Sequence, residues 1–318
     1  MATRAREVKN GLEYDRGTQM NIKVGNAPVS WGVMEVAGWG EQIPYGKVLD
    51  EIAEAGYAGT ELGPYGYFPT EPNELTAELL SRRLQLVAGF VPVPLAHPER
   101  HNAGYQEAMK VAQLLAQTGA PLIVLADEMS EARMAVSGRV DESRDGMSEQ
   151  QWDGAAQIVG RISESCSELG LSAVFHHHAG TFVETPKEVE RLCEITDPDL
   201  LGLCLDTGHY FFGGGNPVAA VRFYGDRIRH LHLKDVQQPI LESARRDGIG
   251  FLEAVRRGVF CELGEGAVDL STVIQEMTAG GYSEWAIVEQ DVDTRNEAVR
   301  PFESALRSRQ YLRNAIGI

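Results

Sequence analysis

The chain has 318 residues, of which 43% are hydrophobic, 24% charged and 8% aromatic, an enzyme-like composition at a length that one α/β barrel uses as a single domain. With 29 Lys and Arg against 46 Asp and Glu, the formal charge is −17, so there is no basic footprint for phosphate and nucleic acid is not expected as a partner. Cys166, Cys193, Cys204 and Cys261 are widely spaced without a C-x-x-C pair, which argues against a disulfide framework or thiolate zinc site and suits a reducing compartment.

Residues 1–20 read as a polar tail with no apolar segment of signal-peptide length, and no run of the chain approaches a membrane span. A cytoplasmic protein without a membrane partner is expected, with one catalytic domain over residues 21–318. Within that domain, short β-rich runs occur at 22–31, 58–63, 84–93, 121–128, 171–178, 201–209, 228–235 and 285–291. Between them lie amphipathic stretches such as 45–57, 105–120 and 155–170, with apolar residues at helical spacing. Thr185, Pro186 and Glu188 have the pattern of a capped helix start, and Gly56, Gly119 and Gly170 stand where helices should stop. Eight apolar strands alternating with helices predict a (β/α)8 TIM barrel, an α/β fold.

Two connections exceed ordinary loops: 129–149 after the fourth strand and 236–268 after the seventh, the second with a helical piece. Both follow the strand ends where barrels build active sites, and both read as lids or subunit contacts. A homo-oligomer is an open option. Deleting the helical part of 236–268 is expected to lower turnover more than stability.

The strand ends carry the chemistry. The fifth ends in His176-His177-His178, the sixth in Asp206-Thr207-Gly208-His209, the seventh in His230 to Asp235, and the eighth in Glu289-Gln290-Asp291. Six of the eight histidines fall between 176 and 232. Imidazoles and carboxylates converging from successive strands suit a divalent transition metal. Side-chain alternation puts His230 and His232 on one face, and His176 with His178 on another, with His177 turned away. No G-x-G-x-x-G or P-loop is present, so no nucleotide cofactor is expected, and Gly213 to Gly215 read as a turn.

The segments HHHAGTFVET, LDTGH, HLHLKD, GVFCELGEG and VEQD, with NAPVSWG and GTELGPYGYFPT, resemble the xylose-isomerase-like TIM barrels, the sugar phosphate isomerase/epimerase group, over nearly all of the chain after residue 20. The resemblance implies one divalent ion, Mn²⁺ or Co²⁺ favoured over Zn²⁺, Fe²⁺ or Mg²⁺, held by Asp206, His232, Glu289 and a fifth-strand ligand. His176 stands where the family usually has a glutamate, and His178 is the alternative; Glu184 reads as a loop residue. Catalytic roles are expected for Glu289 or a strand-5 histidine as base, and for His178, His209 or Lys234 as acid. His209 has the alternative of a helix-start hydrogen bond, and Lys234 that of a salt bridge to Asp235 or a neighbouring strand end. Glu61 is placed for a substrate hydroxyl or a barrel ion pair, and Asn26 and Trp31 flank the first strand as substrate contacts. Asp127 and Glu128 could reach the pocket, while His97 and His101 are assigned no role.

The implied activity is a hydro-lyase step of inositol catabolism: loss of water from 2-keto-myo-inositol to a trihydroxycyclohexane-1,2-dione. A base takes the α proton, an acid meets the leaving β-hydroxyl, and a cation polarises the ketone. A sugar or polyol epimerase, an isomerase or a keto-glycoside lyase would share the first step. A DNA-repair endonuclease of the same barrel is disfavoured by the charge, and a silent binding protein by the retained ligand set.

Overall fold

The computed structural model describes residues 21–34, 36, 38–40 and 43–318; the expected tail at 1–20 lies outside the described residues. Each apolar run contains a strand: β1 Lys23–Asn26, β2 Gly59–Glu61, β3 Gln85–Val93, β4 Leu122–Asp127, β5 Ser172–His176, β6 Leu201–Asp206, β7 Ile228–Leu233 and β8 Trp285–Val288. All neighbours pair in parallel, and β1 pairs with both β2 and β8, closing the barrel in chain order.

The strands are shorter than the runs because the chain turns as soon as its polar end is reached. After Asp206, the segment Thr207–Phe212 becomes a helix, and Asp206 caps it by accepting the His209 N–H at 2.8 Å. Helices cover the outside of the barrel, one principal helix after each strand, among them Tyr45–Glu54, His101–Thr118, Glu149–Glu168 and Pro186–Ile195. The third-strand helix starts at His101, earlier than its apolar pattern suggests, and stops at Gly119, whose φ of 75° suits glycine. The capping box of Thr185 and Glu188 is formed, with Pro186 at the first helical position.

Alternation divides each strand between two cores. Val124, Val174, Cys204 and Ile287 fill the barrel interior, while Ile123, Leu125, Phe175, Leu203 and Leu205 meet the helices. Gly59 is required where strands converge, since a Cβ there would lie 2.8 Å from the Trp285 ring and 2.9 Å from the Gln85 carbonyl oxygen. Continued upward, the interior row of β5 reaches His176, that of β6 reaches Asp206, and that of β7 reaches His230, His232 and Lys234. The same parity on β8 leads from Ile287 to Glu289 and Asp291.

The two long connections are structured. Residues 129–149 hold short helices Glu131–Val136 and Glu142–Asp145. Residues 236–268 hold helices Gln238–Asp247 and Phe251–Arg256, and an antiparallel pair joins Asp235–Val236 to Phe260–Cys261. No helix among the described residues is long and apolar enough to cross a membrane.

Candidate metal centre and active site

At the C-terminal mouth, His176, Asp206, His232 and Glu289 each offer one ligand atom, and all four atoms lie within 4.8 Å of one another. His176 Nε2 is 3.4 Å from Asp206 Oδ2, and His232 Nδ1 is 3.4 Å from Glu289 Oε1 and 3.9 Å from Asp206 Oδ2. Metal–ligand bonds of about 2.0–2.2 Å in a tetrahedral set require donor separations of roughly 3.3–3.6 Å. The His176–Asp206 and His232–Glu289 separations meet that requirement, and the His232–Asp206 separation of 3.9 Å needs only a small inward shift of the donors.

The electrostatics agree with a cation. Burial alone would raise the Asp206 carboxyl, but Lys234, His209 and His176 hold it well below the usual carboxylate range. Burial likewise opposes ionisation of Glu289, and His232 with Lys234 keeps it low. His232 is pulled the other way: burial disfavours its charge, while Cys204, Glu289 and Glu61 push its pKa well above the ordinary imidazole value. Its Nδ1 is buried without a hydrogen-bond partner and faces the carboxylates, which demand positive charge at that point.

Glu61 comes across the lumen from β2. Its Oε1 accepts from His230 Nε2 at 2.7 Å and from His232 Nε2 at 2.9 Å. Burial would raise its carboxyl, yet the two imidazoles hold it well below the normal range. The barrel ion pair expected as one alternative for Glu61 is formed, and Glu61 also borders the cavity at the barrel mouth.

A second cluster stands beside the four ligands. Lys234 Nζ lies 2.9 Å from Asp291 Oδ1, 2.8 Å from His209 Nε2, 3.2 Å from Glu289 Oε2 and 3.5 Å from Asp206 Oδ2. Burial works against its charge, but these carboxylates raise its pKa, so it is an ammonium. Its salt bridges run to Asp206, Glu289 and Asp291, whereas Asp235 is taken by the backbone N–H groups of Val236, Gly264, Gly266 and Val268. His178 and His209 face each other at 3.8 Å between ring centroids; burial and mutual repulsion hold His209 neutral, and burial with His176 and Lys234 does the same for His178. His178 Nδ1 donates to its neighbour Ala179 at 2.7 Å, which leaves Nε2 as the basic atom of the neutral ring.

A cavity of about 330 Å³ opens over the cluster. His176, His178, His232, Glu61, Glu289 and Asp291 form its polar wall, and Met34, Met129, Met134 and Phe90 are among its apolar residues. Asp127 and Glu128 also line it. Asp127 ties two loops together through the Leu95 and Phe182 N–H groups, and burial lifts its carboxyl to about 7 against those donors. Glu128 is paired with Arg100.

Four expectations need correction. Trp31 does not form a wall of the cavity: it is fully buried in the core, and its indole N–H donates to Glu51 at 2.6 Å. Asn26 is also buried and does not line the cavity. The segment after the first strand does reach the mouth, but through Ala27, Pro28 and Val29. His209 and Lys234 do not line the cavity either; they lie one layer behind it, against Asp291 and Glu289. Glu184 has its expected loop role, accepting from Ser137 Oγ and from the Gly138 and Gly180 N–H groups at 2.6–2.8 Å.

The sequence reading assigned no role to His230, Asp291 or His177. His177 is turned away from the site as expected, but its Nε2 accepts the Asp206 N–H at 3.3 Å and so braces a ligand from behind. Alternation gave a signal for His230 and Asp291, since each shares its face with an assigned residue two positions away.

A family model described as the xylose isomerase-like TIM barrel matches residues 49–315, and the chain belongs to that family. Among curated relatives, it is 33% identical over 293 residues to the inosose dehydratase of Geobacillus kaustophilus, covering 92% of this chain and 94% of that one. It is 32% identical over 295 residues to the inosose dehydratase of Lacticaseibacillus casei, with 92% and 97% covered. The fold is shared with the IolI protein solved with a zinc atom, at a TM-score of 0.67 and 15% identity over 93% of this chain and 98% of that one. It is shared too with a probable 3-DHS dehydratase, AsbF, from Bacillus anthracis, at 0.65 and 16% identity over 92% and 99%.

Proposed function

We propose that this chain removes water from 2-keto-myo-inositol, also called inosose, to give a trihydroxycyclohexane-1,2-dione, using one divalent ion held by His176, Asp206, His232 and Glu289. The observation that carries the reading is this four-donor cluster under a cavity, in a chain about one-third identical to inosose dehydratases over nearly their full length. Two imidazoles and two carboxylates suit Mn²⁺, Fe²⁺, Co²⁺ or Zn²⁺ better than Mg²⁺, with Mn²⁺ or Co²⁺ preferred here. Bound there, the ion supplies a Lewis acid for the ketone oxygen and its neighbouring hydroxyl.

The protein's own groups then handle one proton. His178 Nε2 takes the α proton, and the C–O bond to the β-hydroxyl breaks. The same imidazole returns that proton to the departing hydroxyl, which leaves as water, and the resulting enol tautomerises to the dione. Acid and base are thus one ring acting in turn. Lys234 and His209 act through their neighbours, fixing Glu289, Asp291 and the His178 ring; Glu289 is held in the ligand cluster between His232 and Lys234. Met34, Met129, Met134 and Phe90 keep the reacting face of the substrate away from bulk water.

The test is the product formed from 2-keto-myo-inositol in deuterated water. Appearance of the enolisable dione supports dehydration. Solvent deuterium in recovered substrate or in an epimer, with no dione, would replace this reading with an epimerase or isomerase that stops at reprotonation.

A further inference from the structure

We infer that Glu61, together with His230, is a positioning residue that selects which nitrogen of His232 meets the metal. The inference rests on the metal site proposed above and assigns Glu61 a task distinct from substrate contact. Three observations carry it. First, Glu61 Oε1 lies at hydrogen-bond distance from Nε2 of both His230 and His232, at 2.7 and 2.9 Å, so one carboxylate oxygen occupies the same nitrogen of both rings. Second, His232 Nδ1 is the nitrogen that faces Glu289 and Asp206, and it is buried without a hydrogen-bond partner. Third, β2 and β7 are not neighbours in the barrel, so the carboxylate spans the lumen and its contacts are not a by-product of strand pairing.

An imidazole that binds a cation through one nitrogen must carry its proton on the other, and a carboxylate at that second nitrogen sets both tautomer and ring angle. His230, two residues below His232 on the same face, donates to the same oxygen. Without it, the Glu61 carboxylate could turn toward the cavity it borders. The His-x-His spacing on β7 is thereby explained: the upper ring is a ligand, and the lower ring fixes the carboxylate that orients the ligand.

The experiment measures divalent-ion affinity of wild-type and Glu61→Gln proteins by titrating Co²⁺ or Zn²⁺ into chelator-stripped enzyme, with KM for 2-keto-myo-inositol measured in parallel. Loss of the carboxylate behind His232 is expected to weaken metal binding about 10–100-fold, with a far smaller change in KM at saturating metal. Unchanged affinity with a raised KM would overturn the inference and make Glu61 a substrate contact. Imidazole ¹⁵N spectra of the Zn²⁺-loaded wild-type protein give an answer that does not depend on a variant folding. Metal on His232 Nδ1 with a proton on Nε2 is expected, and the reverse would overturn the inference. A wild-type protein that takes up no stoichiometric divalent ion would remove the metal site itself, a failure distinct from equal binding by wild type and Glu61→Gln.

Discussion

His178 and Lys234 show how adjacent residues divide the work between chemistry and positioning. His178 borders the cavity with a free basic nitrogen, so His178→Ala should lower kcat by about 10²–10⁴-fold while leaving divalent-ion affinity close to wild type, as metal titration and steady-state kinetics would show. Lys234 is the buried cation among Asp206, Glu289 and Asp291. Lys234→Met strands three carboxylates, and breaking such a buried set costs on the order of 3–5 kcal/mol. Denaturant unfolding of the metal-free variant should show that loss, and added Mn²⁺ or Co²⁺ should narrow it, because a ligand of the native state stabilises by mass action. Loss of activity with unchanged stability would instead place the Lys234 ammonium in direct contact with substrate. At this scale the ligand set His176, Asp206, His232 and Glu289 was legible through the resemblance of the strand-end motifs, whereas parity by itself paired only His230 with His232 and His176 with His178. The Glu61 contact was not, because it joins residues separated by 169 positions on strands that do not pair. Asn26 was misplaced because it shares the parity of Val24, which faces the helices, and Trp31 because it lies beyond the four-residue strand, where a residue's face no longer follows alternation.

Among the elements, the connection 129–149 lines the cavity through Met129 and Met134, and the connection 236–268 packs against the histidines of the site. In 236–268, Phe251 packs 5.4 Å from the His178 ring and Phe260 packs 5.1 Å from His209, centroid to centroid, and both phenylalanines are buried. The expected separation of turnover from stability on deleting this helical part is therefore replaced: both should fall together. Phe251→Ala should cost about 3–5 kcal/mol and reduce kcat as well, measured by thermal melting and kinetics on the same sample. In 129–149, Arg133 forms a buried ion pair with Glu188 at 2.9 Å, and Glu184 fastens Ser137, Gly138 and Gly180. That connection is docked to the loop after β5. Glu184→Ala leaves three donors unpaired, so limited proteolysis should cut within 129–149 faster than in wild type. Equal cutting rates would mean that other contacts hold the loop. The sequence marked both connections by length, but could not show their docking, because the partners lie on other strand ends.

Across the whole molecule, the barrel was the most legible feature, since eight near-continuous apolar runs alternating with amphipathic helical stretches leave little choice of architecture. The same burial that forms its cores quiets the thiols: it lifts Cys166 and Cys261 to about 12 and Cys193 to about 11. A thiol reagent at pH 8 should react slowly with the native protein and rapidly with the unfolded one; fast reaction of native protein would mean that a cysteine is more accessible than its packing implies. The ligand cluster, together with the inosose dehydratase relatives, supports metal-assisted dehydration. The most direct measurement is a dehydration assay of chelator-stripped protein on 2-keto-myo-inositol, with Mn²⁺, Co²⁺, Zn²⁺ or Mg²⁺ restored one at a time. Dione formation should be absent from the stripped protein and return with Mn²⁺ or Co²⁺. Full activity in the stripped protein, or stoichiometric metal uptake without dione, would contradict it.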